Sequence, residues 1–159
     1  MTELQRPRQS QCLALFGNPT HPDFLKHIVH VEVPFRMAMG DLPIHAIKIN
    51  QVARPALEAL LDEFWVECGH DQARVDAQHV SSFSGDWVVR QMRGLHALSM
   101  HAYGLAFDLD APHNPLAGRH PFFRPDHPFV ALAEKHGFVW GGRWNGRPDA
   151  MHFQFAEVG

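Results

Sequence analysis

The sequence predicts an α+β domain: a small antiparallel sheet with helices packed on one side and polar groups on its open face. Three observations lead there. Short stretches alternate apolar and polar residues with the period of two that marks a half-buried strand. One longer stretch repeats its apolar residues at helical spacing instead. Strands and helices also fall in separate runs, which argues against the strict strand–helix alternation of a doubly wound parallel sheet.

In chain order, Val29, Val31 and Val33 alternate with His30 and Glu32, and Ile47 and Ile49 flank Lys48. These read as two strands joined through Met39-Gly40-Asp41, a turn-like tripeptide. From Pro55 to Cys68 the apolar positions Ala56, Leu60 and Phe64 recur with Leu57, Leu61 and Trp65 beside them. Pro55 suits a first helical turn, where its missing N–H costs nothing, and Gly69 supplies the stop. Leu105 to Asp110 is a strand with Leu105, Phe107 and Leu109 on one face, and Ala106, Asp108 and Asp110 on what is expected to be the wet face. The Pro-, His- and Phe-rich stretch from Asn114 to Pro128 reads as a surface loop. A short helix from Pro128 to His136 ends at Gly137. Met151, Phe153 and Phe155 then alternate with His152 and Gln154 in a terminal strand.

Composition narrows the function. The chain has 159 residues, 45% hydrophobic and 19% charged, enough to bury a core in one domain spanning residues 1–159. A net charge of −3, with no basic stripe, disfavours nucleic acid as a partner. No run of about 18 apolar residues predicts a membrane span, and the polar start lacks the apolar stretch of a secretory signal, so synthesis and initial residence in the cytoplasm are expected. Two cysteines, Cys12 and Cys68, are too few for a disulfide framework or a thiolate zinc site and read as free, buried thiols. The unusual count is histidine, 13 residues. Imidazole is the commonest metal ligand, so any metal here must be held by histidine and carboxylate.

Two segments carry the chemistry. Ser99-Met-His101-Ala-Tyr103-Gly104-Leu-Ala-Phe-Asp108 leads into one strand, and Asp149-Ala-Met-His152-Phe-Gln154 forms the last one. Two histidines and an aspartate can then meet on the open face of the sheet. Three nitrogen and oxygen ligands with a fourth position left to water are what a catalytic zinc needs, whereas structural zinc closes all four positions. Gly104 allows the sharp turn that brings a loop histidine and a strand aspartate to one ion. Asp149, three residues before His152, is the candidate general base. A cation is needed for the oxyanion formed at an attacked carbonyl, and Arg90 or Arg93 can supply it.

These residues resemble the LAS-type zinc peptidases, a family that includes D-Ala-D-Ala carboxypeptidases, L-alanyl-D-glutamate endopeptidases and phage endolysins, and whose architecture hedgehog-type signalling domains share. The resemblance rests on S-x-H-x-x-G-x-A-x-D at Ser99 to Asp108, on D-x-x-H-F-Q at Asp149 to Gln154 and on V-V-R-Q-M-R-G from Val88 to Gly94. It covers Trp87 to Phe155, with a weaker likeness at Leu15 to Pro19. It implies one catalytic Zn²⁺ on His101, Asp108 and His152, Asp149 as acid/base and Arg90 as the arginine that contacts substrate and steadies the transition state. Many members have Glu where this chain has Asp149, and the aspartate points to the endopeptidase and endolysin branch. The resemblance thus implies an L-alanyl-D-glutamate endopeptidase that cuts peptidoglycan stem peptides; a monomer with no nucleic-acid partner and no stable membrane insertion is expected beside it. A phage lysin released through a holin pore is the setting it implies. The rival readings are a D-Ala-D-Ala carboxypeptidase or dipeptidase on the same site, and a zinc-bearing muropeptide-binding module without turnover.

Other residues have plainer readings. His21, His27, His30, His45, His70, His79, His113, His120, His127 and His136 lack a partner motif and are expected in surface or loop positions. Asp110 is expected as a solvated or turn-capping acid rather than a fourth ligand, although the stretch from Asp108 to His113 has the composition to bind a second cation. Ser99 reads as a hydrogen bonder to a ligand or a turn residue. Tyr103 lines the substrate groove or is structural, and Trp140 and Trp144 wall the cleft or pack the core.

Overall fold

The computed structural model describes residues 6–89 and 98–159. Strands β1 (Ile28–Met39) and β2 (Leu42–Asn50) form the expected hairpin, longer than the alternating residues alone suggested. Gly40 takes a positive φ of 59° in the turn that joins them. Their antiparallel register runs from Ile28 opposite Asn50 to Met39 opposite Leu42, with an irregularity between Glu32 and Met37. Pro34 falls there and has no N–H to give to the ladder, so the strand bulges instead of breaking.

Helix α1 (Cys12–Phe16) precedes the hairpin, and α2 (Arg54–Glu67) follows it with Pro55 in its first turn. The buried stripe of α2 is Leu57, Leu60, Leu61 and Phe64, at i, i+3, i+4 and i+7, the spacing that keeps one helical face continuous. It packs with Val31, Phe35 and Met37 of β1 in the main core, where the Phe35 and Phe64 rings meet edge to face. Helix α3 (Gln72–Ala77) comes next, capped by the Asp71 side chain.

A second antiparallel sheet positions the site. Its strands are β3 (Phe83–Gly85), β4 (Ala106–Leu109), β5 (Val139–Trp140) and β6 (His152–Gln154), in the order β3-β4-β6-β5. Helix α4 (Pro128–Lys135) lies between β4 and β5 in the chain and ends before Gly137, as the sequence predicts. Registers Phe107 opposite Phe153 and Asp108 opposite His152 fix the two faces of the sheet's centre. On the core face Phe107 and Phe153 stack at 5.4 Å, and both meet Phe129 of α4. On the other face stand Asp108, His152 and Gln154.

That other face is not wet. Asp108 is 7% exposed and Asp110 2%: Ala106 on the same face packs into a second apolar cluster with Cys12, Phe24, Met100, Tyr103 and Ala156, and the Asp110 carboxylate is held by His79 and His113. The alternation of β4 is right, but the medium its acids face is protein. The stretch from Asn114 to Pro128 is without helix or strand, yet it is not purely superficial: Phe123 and Asn114 are fully buried. Both cysteines are buried and free, and burial pushes the Cys12 thiol up to about 11. Among the described residues no helix is long and apolar enough to cross a membrane.

The loop before β4 depends on Gly104. Its φ is +69°, and a Cβ there would lie 2.5 Å from Ile28 Cδ1 and 3.0 Å from the Asn50 backbone nitrogen. Asn50 holds the loop from the end of β2, its N–H donating to the Gly104 carbonyl at 2.6 Å and its side-chain amide to the Tyr103 carbonyl at 3.1 Å. Gly104→Ala combines left-handed strain with overpacking and is expected to cost about 2–3 kcal/mol. Urea denaturation of the two proteins checks it; equal midpoints would show that the hairpin does not clamp this loop.

Candidate metal centre

Each histidine of the first motif pair is oriented by a partner that settles which ring nitrogen carries the proton. His101 sits in a turn where its backbone N–H donates to Ser99 Oγ at 3.0 Å and the Gly104 N–H donates to its carbonyl at 3.1 Å. Ser99 therefore shapes the turn rather than touching the imidazole. The His101 ring bonds through Nδ1 to the Asp86 carbonyl at 2.9 Å. A carbonyl only accepts, so Nδ1 carries the hydrogen and Nε2 is left with a lone pair. The Asp86 backbone is steadied through its side chain, which accepts from the Lys48 N–H at 2.8 Å; burial pushes that carboxyl up.

His152 is set the opposite way round. The Gln154 side-chain amide donates to Gln9 Oε1 and to the Ala156 carbonyl, both at 2.9 Å, which leaves Gln154 Oε1 as an acceptor. His152 Nε2 lies 2.8 Å from that oxygen and donates to it, so Nδ1 is the bare nitrogen.

Both bare nitrogens face one carboxylate. His101 Nε2 is 3.2 Å from Asp108 Oδ2, and His152 Nδ1 is 3.1 Å from Asp108 Oδ1. All three side chains are buried, the rings lie 5.1 Å apart, and among the described residues His101 Nε2 meets no hydrogen-bond partner in good geometry. Lone pairs facing lone pairs in a buried site repel unless a cation or protons lie between them. The donor atoms lie within 4.8 Å of one another and their spacing is near the edge of a zinc tetrahedron, about 3.4 Å for bonds of about 2.1 Å. The residues therefore fit a metal ion. In its absence protons fill the role: burial lowers the His152 imidazole but the Asp108 carboxylate overrides it and raises the net pKa. Burial would raise the Asp108 carboxyl, but hydrogen bonds from both histidines outweigh it and hold it far below the usual carboxylate range.

The three side chains lie at a cavity of about 380 Å³ that Gln9, Trp144 and Asp149 also line. Asp149 is half-buried, on a turn closed by its N–H to the Gly141 carbonyl at 2.8 Å and by the His152 N–H to its own carbonyl at 3.1 Å. Gly141 is needed there, since a Cβ would lie 2.5 Å from the Asp149 carbonyl oxygen. The Trp144 ring stands 5.3 Å from His152 and walls the cavity. Trp140 instead is core, its indole N–H donating to the Ala150 carbonyl at 2.7 Å.

Tyr103 is not among the described residues that line the cavity; its ring is buried against Phe24 at 6.2 Å in the second apolar cluster. One expectation is corrected: Asp110 is not solvated, because its left-handed backbone turns its carboxylate toward His79 and His113. Arg90 and Arg93 lie outside the described residues. Motif spacing missed Asp86 and Gln9, which lie far from the ligands in sequence. Gln154 was visible in the last motif, two residues from His152 and hence on the same strand face.

Residues 93–155, well under half of the chain, match the family described as D-alanyl-D-alanine carboxypeptidase. That segment contains His101, Asp108, Asp149 and His152. No curated protein and no solved structure matches the chain. That segment is thus similar to a family of peptidases, which are hydrolases.

If Gln154 fixes the His152 tautomer, Gln154→Leu should weaken zinc binding about 10–100-fold while Gln154→Glu, which keeps an acceptor, retains most of it. Equilibrium dialysis against Zn²⁺ measures both; unchanged affinity in the leucine variant refutes the assignment. Affinity should also fall with pH beginning above the ordinary histidine range, because the raised His152 pKa lets protons compete for Nδ1 early.

Proposed function

We propose that this protein is a zinc peptidase that hydrolyses the stem peptides of peptidoglycan, a reading that proceeds from its kinship with the carboxypeptidase family. The observation that carries it is the buried His101–Asp108–His152 triangle at the cavity that Asp149 also lines. In this reading His101 Nε2, Asp108 and His152 Nδ1 hold one zinc ion. When bound, zinc supplies Lewis acidity toward a carbonyl oxygen and toward water. Asp149, a carboxylate off the ligand set and within electrostatic reach of His152, takes a proton from the attacking water and returns it to the departing amine. Trp144 gives the substrate chain an apolar wall. Arg90 is proposed to stabilise charge developing on the attacked carbonyl.

The specificity we favour is that of an L-alanyl-D-glutamate endopeptidase, on the strength of aspartate rather than glutamate at position 149. We assign its site of action to the bacterial wall, with a phage endolysin as the biological setting. A D-Ala-D-Ala carboxypeptidase is the second reading, supported by the description of the matched family.

Asp149→Ala should retain zinc, counted by metal analysis, and lose at least about 100-fold in turnover on purified peptidoglycan, the low end of what a positioned acid/base contributes. Wild-type turnover in that variant overturns the mechanism. Mass spectrometry of the digest separates the specificities: a new N-terminal D-Glu supports the endopeptidase, and free D-Ala supports the carboxypeptidase. Tight muropeptide binding without any product would identify a binding module instead.

A further inference from the structure

The constellation at Asp108 recurs two residues further along the chain. Asp110 Oδ2 lies 2.6 Å from His79 Nδ1, and Asp110 Oδ1 lies 2.8 Å from His113 Nδ1. The donor atoms of His79, Asp110 and His113 all fall within 4.8 Å of one another, as do those of the first centre. We infer that His79, Asp110 and His113 form a second binding site for a divalent first-row transition ion such as Zn²⁺.

The electrostatics call for a cation. The Asp110 carboxylate is 2% exposed, and among the described residues its only ion-pair partners are the two imidazoles, with the Asn114 side-chain amide 3.4 Å from Oδ2. A buried carboxylate without a permanent positive charge is costly, and a divalent ion removes that cost. Two imidazole nitrogens and a carboxylate oxygen suit zinc and its neighbours better than calcium or magnesium, which prefer all-oxygen shells.

The site is also built rather than accidental. His79 and Asp110 both hold positive φ, 64° and 47°, in the left-handed region that histidine and aspartate enter more readily than most residues. The Asp110 N–H donates to the Ser82 carbonyl at 2.7 Å, and the Asn114 amide donates to the Asp110 carbonyl at 3.0 Å. The Phe122 ring lies flat on His79 at 3.5 Å and sets its plane. One ligand is thus clamped on both sides and a second is held by stacking. His113, with 62% of its side chain exposed, closes the site from solvent and leaves room for water in the remaining positions. A neutral imidazole binds through Nδ1 once its proton moves to Nε2, so no proton need be lost from the site.

Zinc counting on the intact chain tests this. The metal-free protein is dialysed against Zn²⁺ at neutral pH and the bound ions per chain are measured for wild type, His113→Ala and Asp110→Asn. His113 is exposed, so its variant folds; asparagine tolerates the left-handed backbone at 110, and circular dichroism checks that fold. Both variants should hold one ion fewer than wild type, with the lost ion binding at micromolar concentrations or below. Equal counts in wild type and His113→Ala overturn the inference, as does a second ion that binds wild type only above about 1 mM. Because the readout is a difference, it does not depend on how many ions the His101 centre holds, and it is separable from any failure of the peptidase reading.

Discussion

A carboxylate buried between two imidazoles, each with its proton already committed elsewhere, is the constraint on which this structure depends. Asp108 cannot hydrogen-bond to either ring in its neutral form, because Asp86 takes the hydrogen of His101 and Gln154 takes that of His152. The site is therefore stable only with positive charge inside it, whether two protons or a metal ion. Its fit to a cation arises from Asp86 and Gln154, which lie outside the three donors, as outer partners commonly tune ligand orientation.

Holding three donors in that relation requires rigid supports from distant parts of the chain. The β4–β6 register places Asp108 beside His152, and that register is pinned from behind by the stacked Phe107 and Phe153 rings. A slip of one residue would turn both ligands into the core, so the aromatic face fixes the chemistry of the opposite face. His101 arrives from a loop rather than a strand. Its position depends on the hairpin, through Asn50 on the Gly104 loop and Lys48 on Asp86. The first half of the chain, which contributes no ligand to this centre, is thus a template for it.

The sequence made strands β1, β2, β4 and β6, the two longer helices and the His101–Asp108–His152 triangle legible because each is encoded locally, whereas the short strands β3 and β5 have too few residues to show a period. Period two reveals β4 and β6, the interval between Pro55 and Gly69 reveals α2, and the two motifs supply all three donors of the main centre. What it hid was the environment. Alternation shows that Asp108 and Asp110 leave the apolar face of β4, but whether they meet water depends on residues far away in the chain, such as Cys12 and Phe24 packed on Ala106 and His79 against Asp110. Tyr103 had two readings for the same reason: membership of a motif places a residue near the ligands, while the side of the loop it faces is set by Phe24. His79 was unreadable as a partner of Asp110, since 31 residues separate them and no motif joins them.

The cavity also bears on what kind of peptide the centre can serve. At about 380 Å³ it is at the small end of ligand pockets, and apolar Leu116, Met151 and Val158 line it together with a few polar groups. Such a space takes a short, flexible stretch of chain and excludes a folded protein, whose backbone is tied up in its own secondary structure. With a net charge of −3 the molecule gains little from long-range attraction to an anionic polymer. Discrimination must then come from contacts within a few ångströms of Asp149 and Trp144. Under the proposed function, short stem peptides, which are unfolded and repeated at high local density in a wall, would suit a catalyst built on proximity rather than steering.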